Sequence, residues 1–580
     1  MIQEVLKKLV NDALEKLSLE NATIIFDHPV DLEHGDYTTS IALQIGKQQG
    51  LPAQAGKNPR ELAEQIANEI RSVGNEYIEK VESAGQGFIN FYLSEKFFRE
   101  QLMVILQRGG SYGRLTLNKG RKMMVEYTDP NPFKEFHIGH LMSNSIGESL
   151  ARLFEASGAE VKRAIYQGDV GMHVAKTVWG MMKSKDVMPS NTVSYTEKLA
   201  YLGKSYAIGA TAYENDETAK KDIGEINKKI FDKSDTEINK LYDTGKKWSL
   251  DAFEEIYKRL GTKFDFYFLE SEAALLGGKI VEEFLGKGVF EKSDGAIVWK
   301  GESEGLHTRV FINSQGLPTY EAKELGLSKK KFDTYSFDRS VVVTANEQND
   351  YFKVVLRVLE KIYPDIAKRT LHLGHGMLRL PTGKMSSRTG DIITAESLIE
   401  DAKKIILEKM SGEKTVEFSD AEKQVVAEAV AIGAIKYSIL RQAIGKDIIF
   451  DFDQSLSFEG NSGPYLQYTY ARAKSVVRKA SGVHIEPSIE RGGEPITAPE
   501  RLLYRFPEVI ERAQREYAPH YVATYLYELA SSFNAYYHDY IVVDKEHADT
   551  SAFRVAITSA VATVLKNGLV VLGIQAPERM

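Results

Sequence analysis

Two short segments hold the residues best suited to phosphate chemistry: Phe136-His137-Ile138-Gly139-His140, and Gly383-Lys384-Met385-Ser386-Ser387-Arg388 about 250 residues further on. Histidines one helical turn apart can turn both rings toward one anion, and the glycine between them leaves room for a nucleotide against the backbone. That is a triphosphate site in outline. Lysine and serine donors on the second segment can follow a phosphorus centre as charge builds on its oxygens. Each segment also has an ordinary reading. With Glu135 nearby, His137 and His140 could ligate a metal, although no third ligand follows at a recognisable spacing, or they could simply open a helix. The lysine segment sits in a turn-rich context, Pro381-Thr382-Gly383, that suits a solvated basic loop. Together the two segments favour the phosphate reading.

Composition narrows the chemistry. The chain has 580 residues, 43% hydrophobic and 27% charged, a length that suggests about three or four domains. It contains no cysteine, which excludes disulfides, thiol nucleophiles and thiolate zinc sites and leaves catalysis to histidine, lysine, carboxylates and backbone dipoles. A formal charge of -7 is the reverse of a nucleic-acid binder's usual footprint, so any RNA would be held by local patches. No apolar run long enough to span a bilayer is expected, and Met1-Ile2-Gln3-Glu4 opens an amphipathic helix rather than an export signal. A cytoplasmic address without a membrane partner is the expectation.

The elements that must position these residues follow from periodicity. Lys122 to Tyr127 reads as a strand, Asp129 to Phe136 as a loop with two prolines, Gly139 to Ala156 as a helix and Val161 to Tyr166 as a second strand. This βαβ unit puts the histidines at a helix start, where amide donors and the positive dipole end favour phosphate. Residues 183 to 257 are polar, lysine-rich and helical in period. Strand-like segments follow at Ala296 to Trp299, Arg309 to Ile312 and Ser340 to Thr344, with helices at Tyr320 to Leu327 and Asp350 to Ile362. Beyond residue 396 the pattern is almost wholly helical. The expected fold is α/β, a doubly wound parallel sheet of Rossmann type. An N-terminal α+β domain (1–110) precedes the catalytic region (111–395, with a helical or mixed insertion at about 183–310), and an all-helical bundle (396–580) follows it. Gly109-Gly110-Ser111-Tyr112-Gly113 reads as the first linker.

The paired segments resemble the HIGH and KMSKS signatures of class I aminoacyl-tRNA synthetases. Glu126 through His137 resembles the region before the HIGH motif in arginyl-tRNA synthetases. So do Tyr166-Gln167-Gly168-Asp169-Val170-Gly171, Leu317-Pro318-Thr319-Tyr320, Phe458 through Tyr468, and the ending from Val564 to Met580; residues 81 to 93 are similar to that family's N-terminal tRNA-binding domain. The resemblance covers essentially the whole chain. It implies a ligase that activates L-arginine with ATP, accompanied by Mg2+, and transfers it to the terminal adenosine of tRNA(Arg), with activation dependent on the tRNA. No protein-bound zinc and a monomeric state are expected.

Site residues are carried over from that resemblance. His137, Gly139, His140, Lys384, Ser386 and Ser387 are implied to bind ATP, with His137, His140, Lys134 and Lys384 catalytic. Ser387 stands where the family usually has a second lysine, and Lys134 is the implied substitute. Glu126, Asn131, Tyr320, Glu324 and Gln348 are implied to hold arginine; the family more often has aspartate at the position of Glu324. A planar cation needs such acidic groups, and Tyr320 and Glu324 share a helical face at i, i+4. Tyr465, Tyr468, Arg472 and Lys474 are implied to bind tRNA, aromatic faces for bases beside cations for phosphates. Outside this context the same tyrosines read as core and the cations as a solvated face. The nearest rival reading is another class I synthetase, and the acidic pocket with its Asn131 context argues against the apolar amino-acid enzymes. A catalytically dead RNA-binding paralogue and a small nucleotidyltransferase are the other rivals; intact His137, His140, Lys134 and Lys384 argue against the first, and the long helical C-terminal region against the second.

Overall fold

The computed structural model describes residues 2–19, 22–48, 58–381, 393–412 and 418–580. Lys384, Ser386, Ser387 and Arg388 lie outside the described residues. Five strands form a parallel sheet: β1 (Lys122–Glu126), β2 (Glu160–Gln167), β3 (Phe266–Leu269), β4 (Arg339–Ala345) and β5 (Thr370–His375), in the order β5-β4-β1-β2-β3. The chain runs outward from β1 to β3 and then returns to the other side of β1. Strand order therefore reverses between β1 and β4, and the carboxyl ends of these strands open the crevice where such sheets bind ligands.

Both faces of the sheet are covered, as a parallel sheet requires. Met123 and Val125 join α1 (Ile138–Ala156) and the C-terminal helices in one continuous apolar core. Met124, Ala164 and Phe268 face the other way, onto α2 (Glu270–Gly286), α3 (Tyr320–Thr334) and α4 (Asn349–Ile362). Two glycines set the distance between α2 and α3. A Cβ on Gly277 would strike the Ala322 carbonyl, and one on Gly326 would strike that of Ala273. This close crossing fixes the start of α2 beside the first turns of α3.

The small strands Ala296–Trp299 and Arg309–Ile312 do not extend the parallel sheet. With Glu291–Ser293 they form a separate antiparallel sheet, since their short connections permit only antiparallel pairing. The Gly109 to Gly113 segment is anchored, not loose: Asn567 Nδ2 donates to the Gly109 and Tyr112 carbonyls, each at 3.0 Å, and Tyr112 is buried. The polar stretch after residue 183 forms three helices, Tyr195–Asn215, Glu217–Asp232 and Thr236–Leu260.

At the N-terminus, strands Tyr37–Thr39, Phe88–Leu93 and Ile78–Ala84 pair antiparallel against helices Ile2–Lys16 and Pro59–Val73. The C-terminal part packs helices Asp420–Leu440, Gly463–Ser481, His520–Asp539 and Ala548–Val571. Contrary to the expectation of no bilayer-length apolar run, Ala548–Val571 is long and apolar enough to cross a membrane by composition. Its apolar residues are core residues: 67% of its most apolar stretch is buried inside the protein.

Candidate active site and nucleic-acid interface

The loop leaving β1 holds an unusual backbone. Thr128, Asp129 and Phe133 all lie at positive φ, at 83°, 46° and 68°, conformations that cost energy in non-glycine residues and persist only where surrounding contacts enforce them. Here the contacts are on view. The Thr128 amide donates to Ser143 Oγ at 3.0 Å, and Asn144 Nδ2 to Thr128 Oγ1 at 3.0 Å. The Phe133 amide donates to Ser249 Oγ at 2.9 Å, on the helix Thr236–Leu260. That helix also secures the Gly168-Asp169 turn: buried Asp169 accepts from Tyr242 Oη at 2.8 Å and Lys246 Nζ at 2.7 Å. The polar helical region thus serves the site by holding its loops.

At the end of the strained loop, the two histidines open α1. The Gly139 amide donates to His137 Nδ1 at 3.1 Å and the His137 amide to His140 Nδ1 at 3.2 Å. Both Nδ1 atoms are acceptors, so each neutral ring carries its proton on Nε2. The rings stack with centroids 3.7 Å apart. Burial lowers the pKa of both, and Lys134 lowers them further. Near pH 7 the pair offers two neutral N–H donors, a poor general base and a good hydrogen-bond clamp for phosphoryl oxygens. Residues 393–395, which follow the segment carrying Lys384, are stitched to the same place. Ile138 donates to the Ile393 carbonyl at 3.2 Å and Ala395 to the Phe136 carbonyl at 2.8 Å.

Beside the histidines, the carboxyl ends of the strands carry an excess of acid. Glu126 ends β1 and pairs with Lys331 of α3 at 2.8 Å, with the side chains only 2% and 1% exposed. Glu324 lies two turns before Lys331 on α3 and is buried. Glu270 opens α2, is buried and pairs with Lys323. Asp129 Oδ1 accepts from the Tyr166 amide at 2.8 Å. Among these groups four carboxyls face two ammoniums, and the imbalance is visible in their proton affinities. Burial pushes Glu324 up to about 7, Lys331 opposing and Glu126 adding to the rise. Burial and then Glu126 push Asp129 well above the usual carboxyl range. Burial also raises Glu270, against the pull of Lys323.

Of the other residues expected to hold arginine, Asn131 lies close to Glu270. Both flank Gly168, where a Cβ would collide with Asn131 Oδ1 and approach Glu270 Oε2 to 2.9 Å. Tyr320 is 66% exposed at the start of α3, its carbonyl accepting from Tyr351 Oη at 2.9 Å. Gln348 is exposed at the end of the turn Asn346–Gln348 after β4. Lys134 is exposed beside the histidines, and partial burial lowers its pKa while Glu270 opposes the change. Sequence reasoning did not single out Glu270, Lys323 or Lys331. The signal available for Lys331 is its i, i+7 spacing from Glu324, which puts both on one helical face.

Because the Glu126–Lys331 pair is enclosed, removing one partner strands the other. Lys331→Met is expected to lower stability by about 3 kcal/mol, read as a lower urea midpoint for unfolding of the catalytic region; an unchanged midpoint would contradict the pairing.

In the helical part, Tyr465, Tyr468, Arg472 and Asn534 line a cavity of about 600 Å3 together with Phe458 and the terminal Met580. Asn534 is its organiser, donating to Tyr465 Oη at 2.9 Å and accepting from Arg472 Nη1 at 2.6 Å. The Arg472 guanidinium lies over the Tyr468 ring at 4.8 Å and the Tyr537 ring at 5.5 Å. Lys474 is not part of this cluster. Two residues along the helix from Arg472, it lines a different cavity with Tyr470 and lies 3.8 Å from Glu578.

A doubly wound sheet with neutral paired histidines at a helix start, followed by a helical bundle, is the architecture of a class I aminoacyl-tRNA synthetase. The family model for the catalytic domain of class I synthetases for arginine, "tRNA synthetases class I (R)", matches residues 101–452. The "Arginyl tRNA synthetase N terminal domain" matches 4–93 and the "DALR anticodon binding domain" matches 466–580. The chain is 31% identical over 609 residues to an arginine–tRNA ligase of Flavobacterium psychrophilum, covering 100% of this chain and 98% of the relative. It is 32% identical over 553 residues to that of Bacteroides thetaiotaomicron, covering 90% and 91%. The arginyl-tRNA synthetase of Thermus thermophilus shares its fold, with a TM-score of 0.80, full coverage of both chains and 24% identity. The chain belongs to the arginyl-tRNA synthetase family, the arginine–tRNA ligases.

Proposed function

We propose that the acid-rich crevice at the ends of β1 to β3 is where this ligase selects arginine, and that the paired histidines hold ATP beside it. The observation that carries this reading is the surplus of buried carboxyls over lysines. Burial pushes three of these carboxyls, Asp129, Glu324 and Glu270, toward their protonated forms. A guanidinium supplies a cation in a planar, multidonor form. Glu126, Asn131, Tyr320, Glu324 and Gln348 form the arginine site, with Glu270 joining them.

In the first step the arginine carboxylate oxygen attacks the α-phosphorus of ATP. A new P–O bond forms, the bond to the β-phosphate bridge breaks and pyrophosphate leaves. The Nε2–H groups of His137 and His140 donate to phosphoryl oxygens as charge builds, and Lys134 and Lys384 neutralise the departing pyrophosphate. Gly139 leaves the backbone open to the nucleotide, and Ser386 and Ser387 donate to its phosphates. Among the described residues no cluster of histidines and carboxylates could hold a metal ion. Mg2+ is expected to accompany the ATP as its counter-ion, offsetting phosphate charge when bound. In the second step the terminal adenosine's ribose hydroxyl attacks the arginyl carbonyl and AMP leaves. Residues 1–110 and 396–580 grip the tRNA around the catalytic region 111–395. Tyr465, Tyr468 and Arg472 receive an unstacked base, and Lys474 meets the backbone from its separate cavity. The resemblance to the few synthetases that activate only with tRNA bound supports the same dependence here. Charging of unfractionated tRNA tests the reading: labelled arginine should be incorporated, and incorporation of a different amino acid in its place would overturn it.

A pH dependence follows from Glu324. An arginine cation binds its ionised form, so arginine affinity should rise as pH passes upward through about 7 and level off above. The stability sign runs the other way. Glu324 has a folded pKa above its ordinary 4.5, so the folded state holds a proton that the unfolded chain releases. Its contribution is full below that ordinary value and is lost as pH rises toward 7. Arginine should therefore raise the thermal midpoint more at pH 8 than at pH 6. Equal gains at both would remove Glu324 from the arginine contact.

A further inference from the structure

Tyr166 is the penultimate residue of β2, beside the acid-rich crevice, and the mechanism gives it nothing to do. Sheet register fixes where it faces. Glu126 pairs with Ala164 across β1 and β2, and Tyr166 pairs with Phe268 across β2 and β3. Side chains in register share a face, and alternate residues of one strand share it too. Glu126 and Tyr166 therefore stand on the same side of the sheet, the side covered by α3 with Glu324. Glu270 follows Phe268 by two residues, just beyond the strand end. The Tyr166 hydroxyl is buried and has no hydrogen-bond partner among the described residues. Burial raises its pKa well above the usual phenol value, and Glu270, Glu324, Tyr351 and Glu126 add to the rise. A buried hydroxyl without a partner costs free energy, and native proteins retain few of them without cause.

Resting on the reading of this crevice as the arginine site, we propose that Tyr166 is a specificity-determining residue whose phenol oxygen takes the guanidinium N–H that the carboxylates leave unpaired. A guanidinium has five N–H donors in a plane. Two carboxylates, Glu270 and Glu324, each meeting one bidentate edge, take four of them. A third carboxylate at the fifth would add charge that the pocket already has in excess. A phenol oxygen accepts that bond without adding charge, and its own proton can go to a neighbouring carboxylate. Tyr166 then reads the number of N–H groups as well as the charge. An arginine with one terminal N–H replaced by a methyl group would press the methyl against the phenol and leave the oxygen unsatisfied.

Tyr166→Phe tests this with three readouts. In wild-type enzyme, arginine should be preferred over Nω-monomethyl-L-arginine in tRNA charging. In the variant, kcat/KM for arginine should fall about 10- to 100-fold, as loss of a hydrogen bond to a charged group does, mainly through KM for arginine. KM for ATP should be unchanged. The penalty against the methylated substrate should shrink by a similar factor. Without arginine the variant's thermal midpoint should match or exceed that of the wild type, because an unsatisfied buried hydroxyl has been removed. A purely structural tyrosine gives the opposite pattern: a lower midpoint and equal losses for both substrates. That pattern, or an unchanged KM for arginine, overturns the proposal. A wild-type enzyme that charged neither substrate would instead overturn the reading of the crevice itself.

Discussion

Replacing Lys134 with alanine is expected to lower kcat for arginyl-adenylate formation by about two to three orders of magnitude, the usual loss when a preorganised transition-state donor is removed. KM for arginine should barely move. Lys134 sits on the strained loop between β1 and α1, its own amide donating to the Asn131 carbonyl at 3.1 Å. Its ammonium makes no ion pair among the described residues. It is a cation held ready beside two neutral histidine donors, and Ser387 supplies no charge where the family usually has lysine. The Ser387→Lys change in the Lys134→Ala background should restore part of the rate. If single-turnover measurements show Lys134→Ala indistinguishable from wild type, leaving-group stabilisation rests elsewhere.

The second large effect concerns selection. Citrulline has nearly the shape of arginine without its charge, and lysine has the charge without the planar fork. A crevice with unpaired buried carboxyls should reject both by roughly four orders of magnitude, since a substrate that leaves such groups unmatched is penalised far more than one that loses an apolar contact. Glu270→Gln and Glu324→Gln should each reduce kcat/KM for arginine by about 100-fold, the scale of breaking a buried charge pair, and each should narrow the gap to citrulline. The double variant should lose less than the sum if both carboxylates hold one guanidinium. An unaffected Glu324→Gln enzyme would leave Glu270, Glu126 and Tyr320 to carry selection.

The β1-α1-β2 unit was legible because strand, histidine turn and long helix follow one another with clear periodicity, and α1 falls within a residue of its expected start. Local pattern is weaker where the elements are short. The four residues of β3 run directly into α2, so neither that strand nor Glu270 at its end stands out. Lys331 was obscured by its neighbours. In the run Lys329-Lys330-Lys331 three cations look like a solvated face, yet Lys331 alone is enclosed, because a helix turns each successive residue by about 100° and only the third faces β1. Such a burial depends on where α3 packs, which the Gly277 and Gly326 crossing determines across some fifty residues of sequence. In the helical part the same rotation separates Arg472, inside the aromatic cavity, from Lys474, outside it. Adjacent basic residues on a helix do not share a surface.

The central claim, that this crevice activates arginine on ATP, is met most directly by ATP–pyrophosphate exchange measured with each of the twenty amino acids, with and without unfractionated tRNA. The account predicts exchange with arginine alone among the twenty, and only when tRNA is present. Exchange driven by a different amino acid would contradict the arginine site, and strong arginine exchange without tRNA would contradict the proposed dependence on bound tRNA.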